Sequence, residues 1–81
     1  MGETAICIVD LGEKKGTQDL EVPLDLPASS LILALRRIYT PEQETGELKN
    51  SYLRCENPIA LLHGSKTLRA YGVRNGTVIH L

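Results

Sequence analysis

The segment formed by residues 4–11 is rich in β-branched residues and apolar on both of its faces. Stepping by two along a strand places one set of side chains together: Ala5, Cys7, Val9 and Leu11. The opposite set is also largely apolar, which a strand with one solvated face does not need: Ile6, Ile8 and Asp10. The pattern predicts a strand that faces the core on one side. The apolar residues on its other side are a first indication of function.

Residues 12–24 continue as a turn followed by a second strand. Gly12 and Gly16 bracket three charged residues, a composition typical of a turn between extended segments. Residues 17–24 then alternate, with Leu20, Val22 and Leu24 on one face. Since Pro23 cannot donate a ladder hydrogen bond, we expect this strand at an edge of the sheet.

An amphipathic helix is predicted next, up to residue 39. Pro27 suits a first helical turn, and Asp25 lies close enough to cap it. The expected core-facing stripe consists of Leu31, Leu35 and Ile38, widened by Ile32 and Tyr39, with Arg36 and Arg37 turned outward. Residues 41–50 lack apolar periodicity and read as a polar loop.

The remaining chain predicts three short strands and a helical turn. Alternation indicates strands at residues 51–56 and 77–81, and a short apolar run indicates a strand at residues 59–62. Residues 66–73 are expected to form a helical turn anchored by Leu68 and Val73. In the last strand Ile79 and Leu81 share one face, while Val78 and His80 share the other. This order predicts an α+β fold, a mixed four- to five-stranded sheet packed on one helix, with the first and last strands parallel and adjacent at its centre.

Length, composition and charge limit the classes of protein to which the chain can belong. The chain has 81 residues, 42% of them hydrophobic and 23% charged, so we expect one folded domain spanning residues 1–81. A formal net charge of −1 provides no positive field for nucleic acid. Cys7 and Cys55 lie in strands and are expected to be reduced core thiols. No apolar run is long enough to span or insert into a membrane and no signal peptide opens the chain, so we expect a cytoplasmic protein.

Enzyme, cofactor and metal chemistry have little support in the sequence. His63 lies in a turn and His80 on a strand, so no base and nucleophile converge. No Cys or His spacing suits a metal, and the carboxylates of Glu42, Glu44 and Glu47 lie in a loop without apolar walls. Residues 12–16 resemble a phosphate-binding loop only superficially, because the Lys-Ser/Thr ending and the helix that follows it are missing. We therefore expect no catalytic residues, no cofactor and no metal.

A protein-binding surface is the remaining candidate. If one face of the sheet packs on the helix, the strands send a second set outward: Ile6, Ile8, Tyr52, Arg54, Val78 and His80. An apolar cluster with a polar rim is typical of an interaction site. Two alternatives stay open, namely scattered surface residues or a face covered by the chain terminus and the long loop. His80 is either a plain strand residue or a contact at the rim of the site.

Several segments resemble ubiquitin-like β-grasp proteins. Leu20-Glu21-Val22 stands before the helix, and residues 67–73 (TLRAYGV), 74–76 (RNG) and 79–81 (IHL) resemble the closing part of that fold. Within this superfamily the chain is most similar to the YukD/EsaB group encoded in type VII (WXG100) secretion loci of Gram-positive bacteria. That similarity lies in residues 8–11 (IVDL), Pro27, residues 52–54 (YLR) with Asn57, and residues 72–76 (GVRNG).

This resemblance implies an accessory or regulatory protein of a type VII secretion system that binds proteins without being conjugated to them. The implied partners are the cytoplasmic domain of a membrane subunit or of the secretion ATPase, or a second copy of the chain in a homodimer. The alternative is a ubiquitin-like protein modifier or a sulfur carrier. Those proteins need a flexible tail ending in Gly-Gly, whereas this sequence stops at Leu81 within its last strand, so we expect no conjugation.

Overall fold

The computed structural model describes residues 2–39 and 52–81. Its elements follow the predicted order, and their bounds differ from the predicted ones by no more than two residues. They are β1 (Thr4–Asp10), β2 (Thr17–Pro23), α1 (Ala28–Tyr39), β3 (Leu53–Glu56), β4 (Ala60–Leu62), α2 (Leu68–Tyr71) and β5 (Val78–His80). The predicted polar loop at residues 41–50, with Glu42, Glu44 and Glu47, lies outside the described residues, as does Ser51.

The five strands form one mixed sheet in the order β2-β1-β5-β3-β4. β1 and β5 are parallel neighbours, and the other pairs are antiparallel. The predicted central pairing of the first and last strands is therefore confirmed, as is the edge position of β2. The β1–β2 hairpin closes through hydrogen bonds of 2.8 Å from the Leu11 N–H to the Gly16 carbonyl and from the Gly16 N–H to the Gly12 carbonyl.

The core lies between the sheet and α1. The inward residues of the strands alternate as predicted, and both thiols are free and buried. Burial raises the pKa of the Cys7 and Cys55 thiols. The buried apolar set is Ala5, Cys7, Val9, Val22, Ala28, Leu31, Ile32, Leu35, Leu53, Cys55, Leu62, Leu68, Val73 and Ile79.

The prediction for the helix stripe was wrong at Ile38, which is 59% exposed. The buried residues of α1 are Ala28, Leu31, Ile32 and Leu35. At about 100° per residue, Ile38 lies roughly 70° from the middle of this set, whereas Tyr39 lies roughly 30° from it. The core-facing side of α1 is thus rotated toward Ile32 and Tyr39. By the same rotation Arg36 is partly buried rather than turned outward, while Arg37 is exposed.

A buried hydroxyl fixes the connection between β3 and β5. The Thr77 hydroxyl donates to the Asn57 carbonyl at 2.7 Å and accepts from the Arg74 N–H at 3.0 Å. Arg74 Nη2 also donates to Asn57 Oδ1 at 2.7 Å. Because Thr77 is fully buried, both of its hydrogen bonds replace contacts with water that folding removes. They hold the start of β5 against the turn that follows β3.

Candidate functional site

The side of the sheet opposite α1, here called the outer face, is defined by strand alternation and register. The residues that alternate with the buried set point outward, and the cross-strand pairings place them in rows. The outer face consists of Thr17, Asp19, Glu21 and Pro23 on β2, Thr4, Ile6, Ile8 and Asp10 on β1, Val78 and His80 on β5, Arg54 and Glu56 on β3, and Leu61 on β4.

Ile6, Ile8 and Val78 form an apolar patch on this face. Ile8 and Val78 are direct neighbours across the parallel β1–β5 pair and are half-buried, while Ile6 is 51% exposed. Two hydrogen bonds hold the backbone of Ile6: its N–H donates to Asn75 Oδ1 at 2.8 Å, and its carbonyl accepts from the Gly76 N–H at 2.9 Å. The turn before β5 therefore holds the backbone of Ile6 in place.

His80 lies between two carboxylates on neighbouring strands. Its Nδ1 is 3.0 Å from Asp10 Oδ2 on β1, and its Nε2 is 2.5 Å from Glu56 Oε2 on β3. Asp10 also accepts from the Gly12 N–H at 3.0 Å through its other oxygen. The Gly12 hydrogen bond, followed by that of His80, lowers the pKa of Asp10. One side chain thus connects three strands across the outer face.

These contacts set what His80 can do chemically. Neutral imidazole carries one N–H, so only the imidazolium donates both hydrogen bonds at once. A catalytic histidine keeps one ring nitrogen for the reacting group, whereas both nitrogens of His80 contact carboxylates. The geometry fits a polar contact that links three strands. His80 differs from a plain exposed strand residue, because its side chain is only 25% exposed and is held from both sides. Its role as a contact at the rim of a binding site stays a prediction.

Arg54 and the β4 edge extend the outer face beyond His80. Arg54 pairs in register with His80 on one side and with Leu61 on the other. Within residues 2–39 and 52–81, no hydrogen bond or ion pair engages the Arg54 guanidinium. Leu61 is exposed, and Ile59 beside it is 87% exposed. A depression of about 290 Å³ is lined by Arg54, Cys55, Glu56 and Ile59.

Of the six predicted site residues, the register brings together Ile8 with Val78 and Arg54 with His80, and it places Ile6 beside them. Tyr52 is exposed but precedes the first residue of β3, and no described pairing places it on the outer face. Whether any of them binds a partner stays a prediction.

The site residues predicted from the sequence leave out Asp10, Glu56 and Leu61, which also lie on the outer face. Alternation alone assigns Asp10 to the face of Ile8 and Glu56 to the face of Arg54. It does not say that both carboxylates reach His80, because that depends on the strand order and register.

No group of three or more His, Cys, Asp or Glu side chains in the described part of the chain is arranged to hold a metal ion. No helix among the described residues is both long and apolar enough to cross a bilayer.

The fold defines a class of protein. A five-stranded mixed sheet with parallel central strands, packed on one main helix, is the ubiquitin-like β-grasp. The chain is similar to the C-terminal ubiquitin-like domain of mouse tubulin-specific chaperone e, with a TM-score of 0.73 and 14% sequence identity over 98% of this chain and 84% of that one. At this identity the likeness shows the fold alone.

The family follows from the sequence match. The model of YukD, a protein of the WXG100 protein secretion system (Wss), matches residues 6–81, and the chain therefore belongs to the YukD family. The resemblance inferred from the sequence is thereby confirmed. A comparison with curated proteins gave no significant match.

Proposed function

We propose that this YukD family component of the WXG100 secretion system acts in the cytoplasm by non-covalent protein binding through the outer face. It would serve as a non-conjugated accessory or regulatory protein that docks on the cytoplasmic part of a membrane subunit or of the secretion ATPase. The observation that carries the proposal is the apolar patch. Its three aliphatic side chains lie side by side on the sheet surface opposite α1, and Ile6 is half exposed.

The energetics of the apolar patch indicate how large the contact must be. Full burial of an Ile or Val side chain contributes about 1.5 to 3 kcal/mol. Ile6 is 51% exposed and Ile8 and Val78 are less exposed, so docking gains on the order of 1 to 3 kcal/mol from the three side chains. Micromolar affinity corresponds to about 8 kcal/mol. A partner must therefore also engage the polar residues around the patch, and Leu61 and Arg54 lie within the same surface.

Affinity capture with matched variants tests the proposal. Tagged wild-type chain and an Ile8→Glu, Val78→Glu variant are used to capture proteins from native cytoplasm and membranes. Ile38→Glu is the control, because Ile38 is an exposed isoleucine on α1. We expect the secretion ATPase or membrane subunits to copurify with wild type and with the Ile38→Glu variant, and to be lost from the double variant.

Two measurements keep this test decisive. Thermal unfolding of the double variant reports whether the fold persists, and Ile6→Lys repeats the test at the most exposed residue of the apolar patch. Capture that is unchanged in both outer-face variants would exclude this surface. Intact-mass spectrometry of the captured material tests the covalent alternative, since a ladder of adducts on the chain would contradict non-covalent action.

A further inference from the structure

We infer that the outer face receives a segment of its partner in which apolar residues are interspersed with lysine or arginine. The inference rests on the proposed function and specifies the chemistry of the partner. It derives from the charges that the register places around the apolar patch.

Each residue of the apolar patch has a carboxylate as its cross-strand neighbour. Glu21 is opposite Ile6, Asp19 is opposite Ile8, and Glu56 is opposite Val78. Side chains paired in this way have Cβ atoms about 4.5 to 5.5 Å apart. An apolar side chain of the partner that lands on the patch therefore brings its neighbouring residues next to these carboxylates.

Charge is segregated across the described part of the chain. Leaving out Glu42, Glu44 and Glu47, seven of the ten acidic side chains are described, and four of the seven lie on the outer face: Asp10, Asp19, Glu21 and Glu56. Leaving out Lys49, eight of the nine basic side chains are described, and one of the eight, Arg54, lies there. The outer face is thus acidic although the net charge of the chain is −1.

This segregation determines which occupant fits. Contact removes water from the carboxylates at the edge of the patch, and a buried carboxylate without a cationic partner is costly. A second copy docked through the same face would bring four further carboxylates but only one further guanidinium, that of Arg54. A basic and apolar segment supplies the missing cations, and such complementarity speeds association and excludes wrong partners.

The residues around the apolar patch differ in how far they are already engaged. Glu56 contacts His80, and Glu21 accepts from the Thr4 hydroxyl at 2.6 Å. Asp19 makes no hydrogen bond or ion pair to any other residue in the described ranges. Asp19 beside Ile8 is therefore the carboxylate most available to a cation of the partner.

Two designed peptides of equal length test the inference, one alternating Leu with Lys and the other alternating Leu with Glu. They are titrated into the isotope-labelled full chain, and amide shifts map where they bind. We expect the Leu/Lys peptide to shift Ile6, Ile8 and Val78 and to bind about tenfold more tightly than the Leu/Glu peptide, as two exposed ion pairs would give. Added salt should reduce this preference.

Charge reversal supplies the matched variants. Asp19→Lys with Glu21→Lys should remove or invert the preference between the peptides. Glu13→Lys, in the exposed hairpin turn, should leave the preference for the Leu/Lys peptide intact. Equal binding of the two peptides, preference for the Leu/Glu peptide, or shifts located away from the outer face would overturn the inference.

Sedimentation of the full chain tests the rival occupant. We expect a monomer, and a dimer disrupted by Ile8→Glu would overturn the inference in favour of a second copy. Failure here is distinguishable from failure of the proposed function. If Ile8→Glu with Val78→Glu abolishes capture of secretion subunits while the peptides bind equally, the face is the docking site and only its preference for basic partners is wrong.

Discussion

Asp10 Oδ2 lies 3.0 Å from His80 Nδ1, across the parallel strands at the centre of the sheet. The same carboxylate accepts from the Gly12 N–H, so it joins the end of β1, the hairpin turn and β5. The far side of the imidazole contacts Glu56 on β3. This arrangement holds Asp10, His80 and Glu56 together on the outer face, next to the apolar patch.

Substitution of Asp10 by Asn should make stability less dependent on pH in the acid range. The pKa of Asp10 is lowered in the folded chain, first by the Gly12 hydrogen bond and then by His80. A lowered folded pKa stabilises the fold above the ordinary value of 3.8, and this contribution is lost as pH falls through the folded pKa. Urea unfolding at a series of pH values should therefore show a gap between wild type and Asp10→Asn that closes toward acid. A gap that is constant with pH would contradict this account.

The buried hydroxyl of Thr77 gives a second prediction. Thr77→Val keeps the shape of the side chain but leaves the Asn57 carbonyl and the Arg74 N–H without their buried partner. We expect a loss of about 1 to 3 kcal/mol in the free energy of unfolding. Thr17→Val is the control, because Thr17 is exposed at the start of β2 and its hydroxyl makes no hydrogen bond to any described residue, and it should change stability by about 0.5 kcal/mol or less. Chemical denaturation of both variants measures the difference.

The rotated helix face is testable by comparing Leu35→Ala with Ile38→Ala. Leu35 is fully buried against the sheet, whereas Ile38 is largely exposed. We expect Leu35→Ala to cost about 2 to 5 kcal/mol, because it removes buried methyl groups and leaves a cavity. Ile38→Ala should cost well under half of that. Similar losses for the two variants in denaturant unfolding would contradict this rotation and support the predicted stripe, in which Ile38 faces the core with Leu35.

The sequence predicts much of the fold because successive side chains of a strand point to opposite faces of the sheet. In β1 and β5 the buried and outward sets follow the period of two, so Ile6, Ile8 and Val78 could be assigned to one face from the residues alone. The position of β2 at an edge followed from Pro23. The parallel central pair was inferred from the order of the elements.

The electrostatics of the outer face could not be predicted in the same way. Whether Asp10 and Glu56 reach His80 depends on which strands are neighbours and on their register, and alternation contains neither. The pairing of each residue of the apolar patch with a carboxylate likewise depends on strand order and register. At Ile38 the pattern misled, because a residue at the border of a helical stripe is buried or exposed according to how the helix rotates on its sheet.

Both cysteines should behave as protected thiols. Burial raises the pKa of Cys7 and Cys55, and the thiolate is the reactive form. In mildly alkaline buffer we expect iodoacetamide to alkylate the folded chain far more slowly than the chain in denaturing guanidinium chloride. Mass spectrometry counts the added groups over time. Equal rates in the two conditions would show that these strands open readily.

Isoleucine methyl NMR offers the most direct test of docking through the outer face. The isoleucines report on separate surfaces: Ile6 and Ile8 lie on the outer face, Ile38 is exposed on α1, and Ile32 is buried in the core. Methyl-labelled chain is titrated with the purified secretion subunit that it captures. We predict that the Ile6 and Ile8 methyl signals shift or broaden first while those of Ile38 and Ile32 stay in place. Perturbation of Ile38 with unchanged Ile6 and Ile8 signals would contradict the account.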